Sequence, residues 1–146
     1  MLELKQSISQ EASKFVEMEQ DKDTLEFILP NSLEEHITLI NSSDVLYLSV
    51  YQNGSLVGFC TIVADNQGSA ELRRIVIASK GNGLGQQVIK EVERYCSQKL
   101  QCSKLWLDVF KFNSRGIHIY TKLGFTQFKT GSYQGKELLF MVKELT

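Results

Sequence analysis

The residues with the most chemical content occupy positions 71–86, in the run ELRRIVIASKGNGLGQ. A β-branched strand pattern runs into glycines at 81, 83 and 85, and a strongly periodic helix follows. Glycine lets the backbone turn tightly and present its N–H groups with no Cβ in the way. The first N–H groups of a helix have no intrahelical partner, and the helix dipole adds positive potential there. Strand, glycine loop and helix start together make a cradle for a phosphate or diphosphate, and Lys80 adds a formal charge at its mouth. Two common phosphate motifs fail on spacing. A dinucleotide fingerprint needs a third glycine at 86, which is Gln86, and no Gly-Lys pair is followed by Ser or Thr, since Gly135-Lys136 leads to Glu137.

A second element lies downstream, LWLDVFKFNSRGIHIYTKLGF over residues 105–125. Asn113 or Ser114 caps a helix whose inner face carries Ile117 and Tyr120, and Gly124 ends it before a returning strand. Taken together, the two elements resemble the GNAT acyl-CoA N-acyltransferase superfamily over residues 45–142. Lys80-Gly81-Asn82-Gly83-Leu84-Gly85 is similar to the family's [Gln/Arg]-x-x-Gly-x-[Gly/Ala] element. Asn113, Ile117, Tyr120, Lys122, Leu123, Gly124 and Phe125 are similar to its second element. Three departures stand out: Lys80 replaces Gln or Arg and loses the planar fork, the turn from Ile77 to Lys80 is short, and Gly116 stands where Ala is common.

The resemblance implies an acetyl-CoA-dependent N-acetyltransferase. Its sheet would be mixed and mostly antiparallel, with helices on its faces and two central strands, residues 71–78 and Lys104–Phe110, splayed to admit pantetheine. The diphosphate would meet Lys80, Gly81, Asn82, Gly83, Leu84, Gly85 and Gln86. Pantetheine would pair with Ile75 and Ile77 and contact Asn113. A backbone N–H at Ile75 or Val76 would polarise the thioester carbonyl. Tyr120 would donate to the departing thiolate. The amine must lose a proton, and Glu71 at the strand start is the first candidate base. Asp108 is the second, on the expectation that its apolar strand buries it and raises its pKa.

The elements that must position these groups are legible as patterns. Residues 2–5 read as a strand, 9–20 as a helix with Ala12, Phe15 and Val16 on one face, and Asn31 or Ser32 as the cap of a second helix. Residues 45–51 and 56–64 read as strands around Asn53-Gly54, the strongest short hairpin signal, and Asn66-Gln67-Gly68 as a further turn. Leu84, Val88, Ile89, Val92, Tyr95, Cys96 and Leu100 recur at helical spacing. Residues 125–129 and 137–142 read as a closing hairpin around a turn at 131–135. His36 and His118 read as solvated histidines, Trp106 as core, and Arg73 and Arg74 as one outward and one paired side chain, because strand neighbours alternate faces.

Composition narrows the partners. The 146 residues suit a single domain, residues 1–146, and carry 16 basic and 17 acidic side chains, so nucleic acid is not an expected partner. Cys60, Cys96 and Cys102 match no zinc spacing, and no metal is expected. The N-terminus has no basic-then-apolar signal pattern, and no segment nears the ~20 apolar residues of a membrane span. A cytoplasmic enzyme is therefore expected, acting on a small-molecule or protein amine, with no membrane association and a homodimer left open. The competing readings are a non-catalytic CoA or acyl-CoA-binding module serving as sensor or partner subunit, and a nucleotide-binding protein.

Overall fold

The computed structural model describes residues 1–78 and 83–146, apart from the side chains of Lys22 and Asp23. The predicted diphosphate ligands Lys80, Gly81 and Asn82 therefore lie outside the described residues. The fold is mixed α/β. Among the described residues seven strands form one sheet in the order β1-β2-β3-β4-β5-β7-β6, where β1 is Leu2–Gln6, β2 Leu46–Gln52, β3 Ser55–Ala64, β4 Ser69–Ile77, β5 Lys104–Phe110, β6 Thr126–Tyr133 and β7 Lys136–Glu144. The helices are α1 Ala12–Glu19, α2 Lys22–Leu25, α3 Leu33–Ile40, α4 Leu84–Gln98 and α5 Ser114–Lys122. The β1–β2, β2–β3, β5–β7 and β6–β7 pairs are antiparallel, and β4–β5 is parallel. Among the described residues no helix is long and apolar enough to cross a membrane.

By contacts the chain forms two compact units, residues 1–63 with 73–92, and residues 64–72 with 93–146. In the first, Asn53 and Gly54 both take positive φ, 51° and 85°, as a tight turn between twisted strands requires. Ser32 caps α3: its Oγ accepts the Glu35 N–H at 3.1 Å, and the Glu35 carboxylate accepts the Ser32 N–H at 2.8 Å. Phe15, Val45, Tyr47, Phe59 and Val76 form the core, with Phe15 and Phe59 stacked at 4.3 Å. The predicted helix over 9–20 is two pieces, a 3₁₀ turn at Ser9–Glu11 and then α1.

Gly58 on β3 marks a close backbone approach. A Cβ there would lie 2.5 Å from the Val76 carbonyl oxygen and 3.2 Å from Ile77 Cα, backbone atoms that cannot swing aside. Gly58→Ala is expected to destabilise the protein by about 1–3 kcal/mol through overpacking. A urea denaturation midpoint checks this.

In the second unit β5 alternates cleanly. Leu105, Leu107 and Val109 are buried, while Trp106 and Phe110 are half-buried and Asp108 is exposed. Asp108 is therefore not the buried carboxylate expected from its apolar neighbours; strand alternation turns it to the opposite face. Trp106, expected in the core, shares that face. The closing hairpin is longer than predicted, and only Gln134 and Gly135 form its turn. Gly131 lies inside β6, where a Cβ would come 2.9 Å from Phe140 Cε1. Its absent side chain is the space that the Phe140 ring fills.

Candidate active site

The helix start most apt for an anion is α4. Gly83 takes φ 70° and its carbonyl accepts the Gln87 N–H at 3.1 Å, so it caps the helix. The N–H groups of Leu84, Gly85 and Gln86 are thus the first-turn donors with no carbonyl four residues back inside the helix. The Leu84 side chain is buried, 5 % exposed, so it anchors the turn and leaves only its backbone for a ligand. Among the described residues, a Cβ added at Gly83 or Gly85 would meet nothing within 4 Å, and a first helical turn with these glycines fits a diphosphate. Upstream on β4, Ile75 is half-buried and Val76 and Ile77 are buried. All of these belong to the first unit.

The second unit holds Glu71, Asp108, Asn113 and Tyr120. The parallel β4–β5 register covers Ser69↔Lys104, Ala70↔Leu105 and Glu71↔Trp106. Each strand continues past this ladder, β4 to Ile77 and β5 to Phe110. Paired residues in a parallel ladder share a face, so Glu71, Trp106 and Asp108 lie on the same side of this part of the sheet. Glu71 is half-buried at the end of the ladder.

Asn113 caps α5, its Oδ1 accepting the Gly116 N–H at 2.9 Å. This explains the glycine at 116: a Cβ there would lie 2.6 Å from the Asn113 side-chain nitrogen. Gly124, at φ 101°, ends the helix, and the Phe125 N–H returns to the Tyr120 carbonyl at 3.0 Å. The Tyr120 ring stands edge-on to Phe125 at 5.8 Å. Burial pushes the Tyr120 phenol up to about 12, and the Asp108 charge adds to the shift. The structure therefore brings Asp108 and Tyr120 within electrostatic reach of each other.

Two other groups differ in their suitability for catalysis. Burial raises the Cys96 thiol to about 12 and also raises Cys102, the wrong direction for a nucleophilic thiolate. His118 is exposed, as expected, but His36 is not. It is fully buried, with Nε2 2.6 Å from Glu19 Oε1 and Nδ1 2.8 Å from the Tyr47 hydroxyl. Its ring stands edge-on to Phe15, Tyr47 and Phe59 at 5.6–6.0 Å.

Glu19 is also fully buried. Its Oε1 accepts the Asn31 N–H at 3.1 Å and its Oε2 accepts from Arg74 Nη1. Burial by itself raises the Glu19 pKa, but the His36 hydrogen bond, the Arg74 charge and the Asn31 N–H together bring it below the usual carboxylate value. Arg74 is thus half-buried and paired with Glu19, and the Arg73 position is exposed. The sequence reading missed this network. Its visible signal was a carboxylate on the apolar stripe of α1, because Ala12, Phe15 and Glu19 share one helix face.

Comparison with known proteins agrees with this geometry. Residues 6–125 match the model of the acetyltransferase (GNAT) family. The spermine/spermidine N(1)-acetyltransferase of Bacillus subtilis strain 168 is 29% identical over 107 residues, spanning 67% of this chain and 69% of that protein. Among solved structures, a spermidine N-acetyltransferase from Vibrio cholerae in complex with CoA and spermine superposes with a TM-score of 0.83 at 18% identity, covering 99% of this chain and 95% of the other. The aminoglycoside acetyltransferase AAC(6')-Ib in complex with coenzyme A gives a TM-score of 0.84 at 16% identity, over 99% and 95%. The helix-capped glycine turn after β4, the Asn-capped α5 with its tyrosine, and a family match over most of the length lead to one conclusion: this chain belongs to the acetyltransferase (GNAT) family.

Proposed function

We propose that residues 1–146 act as a single cytoplasmic acetyltransferase domain that transfers an acetyl group from acetyl-CoA to a primary amine of a small polyamine-like cation. The observation that supports the donor half is the start of α4, where Gly83 takes positive φ and caps the helix, so the first-turn N–H groups have no partner within the helix. Lys80, Gly81 and Asn82 extend the same cradle in sequence. The acceptor class is supported by charge: residues 17–35 hold seven carboxylates against the single Lys22. Of these, Glu17, Asp21, Glu26, Glu34 and Glu35 are exposed. The Bacillus subtilis relative, named for spermine and spermidine, supports the same class.

Acetyl-CoA supplies an acyl group already activated as a thioester, so the chain's residues need only bind, orient and manage protons. The N–H groups of Leu84, Gly85 and Gln86 hold the diphosphate. The β4 backbone at Ile75 and Ile77 takes the pantetheine amides, and an N–H at Ile75 or Val76 polarises the thioester carbonyl. Glu71 takes a proton from the substrate ammonium, directly or through water, so that the free amine attacks the thioester carbonyl, Asn113 supports the pantetheine, and Tyr120 hydrogen-bonds the departing sulfur.

An amine panel read by free-thiol release tests this function. Spermidine and spermine are expected to release CoA faster than amino acids or lysine peptides, and no release with any amine would reject the reading. Glu71→Gln is expected to lower kcat/KM about 10- to 100-fold near pH 7, the usual worth of a positioned base. The deficit should narrow as pH rises toward the amine pKa near ~10, where free amine no longer needs deprotonation. A pH profile of both proteins reads this directly.

A further inference from the structure

Acetyl transfer leaves the buried Glu19, His36, Tyr47 and Arg74 network without a task. Replacing a buried ionic network by a well-packed apolar core of the same volume is often neutral or stabilising, so stability alone does not account for this one. Its geometry is specific. Glu19 takes the N–H of Asn31, and Arg74 donates to the Leu29 carbonyl at 2.8 Å as well as to Glu19. The tripeptide 29–31 is held at both ends, with the restricted φ of Pro30 between them. His36 and Tyr47 complete the chain from behind, so each Glu19 oxygen has a donor. Arg74 lies on β4 next to Ile75, and its side chain is 18% exposed.

The clamped loop joins two elements with mixed surfaces. Leu25, Leu29 and Leu33 are exposed, with Glu26, Glu34 and Glu35 exposed among them. Methylene spacers and ammonium groups on one acceptor call for apolar and acidic groups side by side. Such a surface discriminates only if it is fixed relative to the strand that carries the thioester.

Building on the acetyl-transfer reading, we propose that Glu19 and Arg74 are positioning residues for the amine acceptor: their buried ion pair clamps residues 29–31 onto β4 and so fixes the acceptor-binding surface of residues 25–35. The clamp acts on the acceptor and not on the donor, because the donor's contacts come from the β4 backbone and the start of α4.

The test compares wild type, Glu19→Gln, Arg74→Gln and Arg74→Lys by steady-state kinetics with spermidine, melting temperature and hydrogen exchange at the Asn31 amide. Glu19→Gln and Arg74→Gln are expected to raise the spermidine KM at least about tenfold while the acetyl-CoA KM stays within about twofold. The Asn31 amide should exchange faster in both, and Arg74→Lys, which keeps the charge, should recover part of the KM. If Glu19→Gln does not fold, the partly exposed Arg74 position decides.

A merely structural role would lower the melting temperature and the active fraction and leave the spermidine KM alone, and that result overturns the proposal. Wild type that turns over no amine would instead sink the acetyl-transfer reading itself, and the acceptor role with it. Turnover with an unmoved spermidine KM in both variants sinks the clamp alone.

Discussion

Replacing Tyr120 with Phe is expected to lower kcat about 10- to 100-fold, the worth of one hydrogen bond to a charged atom, and to leave the affinity for CoA unchanged. The direction follows from the phenol's setting. Burial holds Tyr120 near 12, with Asp108 pushing the same way, so the hydroxyl keeps its proton across the working range. A raised tyrosine pKa retains the neutral form below it and loses it only as pH rises past about 12. A thiol titrates near ~8.5, so full transfer of the phenol proton to the departing thiolate is uphill. In the proposed reaction Tyr120 would therefore act by donating a hydrogen bond, and free thiol would form by later proton uptake from solvent. The pH profile of Tyr120→Phe should run parallel to that of wild type up to about pH 10. The ring contact with Phe125 survives the substitution, so the fold should not suffer. Single-turnover thiol release separates this loss from any change in product release.

Gly83→Val is expected to weaken CoA binding about 10- to 100-fold, because a β-branched residue at φ 70° is strained by a few kcal/mol and escapes by moving the turn. Gly85 supplies the contrast. Its backbone is not in the left-handed region, and a Cβ there meets nothing within 4 Å. Gly85→Ala should bind CoA as wild type does and gain roughly 0.5–1 kcal/mol of stability from better helix propensity. Isothermal calorimetry with CoA and thermal melts check both substitutions. Equal loss in the two variants would mean that side-chain space, rather than backbone conformation, governs the turn.

Much of the scaffold was legible because it is encoded locally. Asn53-Gly54 demands its hairpin, Asn31 or Ser32 announces the start of α3, and Asn113 or Ser114 with Gly124 brackets α5. The apolar stripe of α4 needs no tertiary information. What was illegible depends on partners distant in sequence. Gly131 looked like a turn residue until Phe140, across the hairpin, was seen to occupy its missing side chain. Asp108 looked buried because its strand is apolar, yet alternation exposes every second residue. His36 looked solvated because a histidine near an acidic stretch usually is. Its burial depends on Glu19, 17 residues earlier, and on the Tyr47 hydroxyl, 11 residues later. The candidate residues Glu71, Asp108, Asn113 and Tyr120 were named from the sequence and the family pattern. The approach of the Asn113 side chain to Gly116 and the electrostatic reach of Asp108 to Tyr120 needed the fold.

The account stands or falls on whether the start of α4 grips a CoA diphosphate whose acetyl group then leaves on an amine. Mixing the protein with acetyl-CoA and spermidine, and following thiol release alongside the mass of the polyamine, tests both halves at once. One acetylated polyamine for every thiol released, with both lowered together about 10- to 100-fold by Gly83→Val at sub-saturating acetyl-CoA, is the predicted result. Thiol release with no acetylated amine, or acetylation indifferent to Gly83, would contradict it.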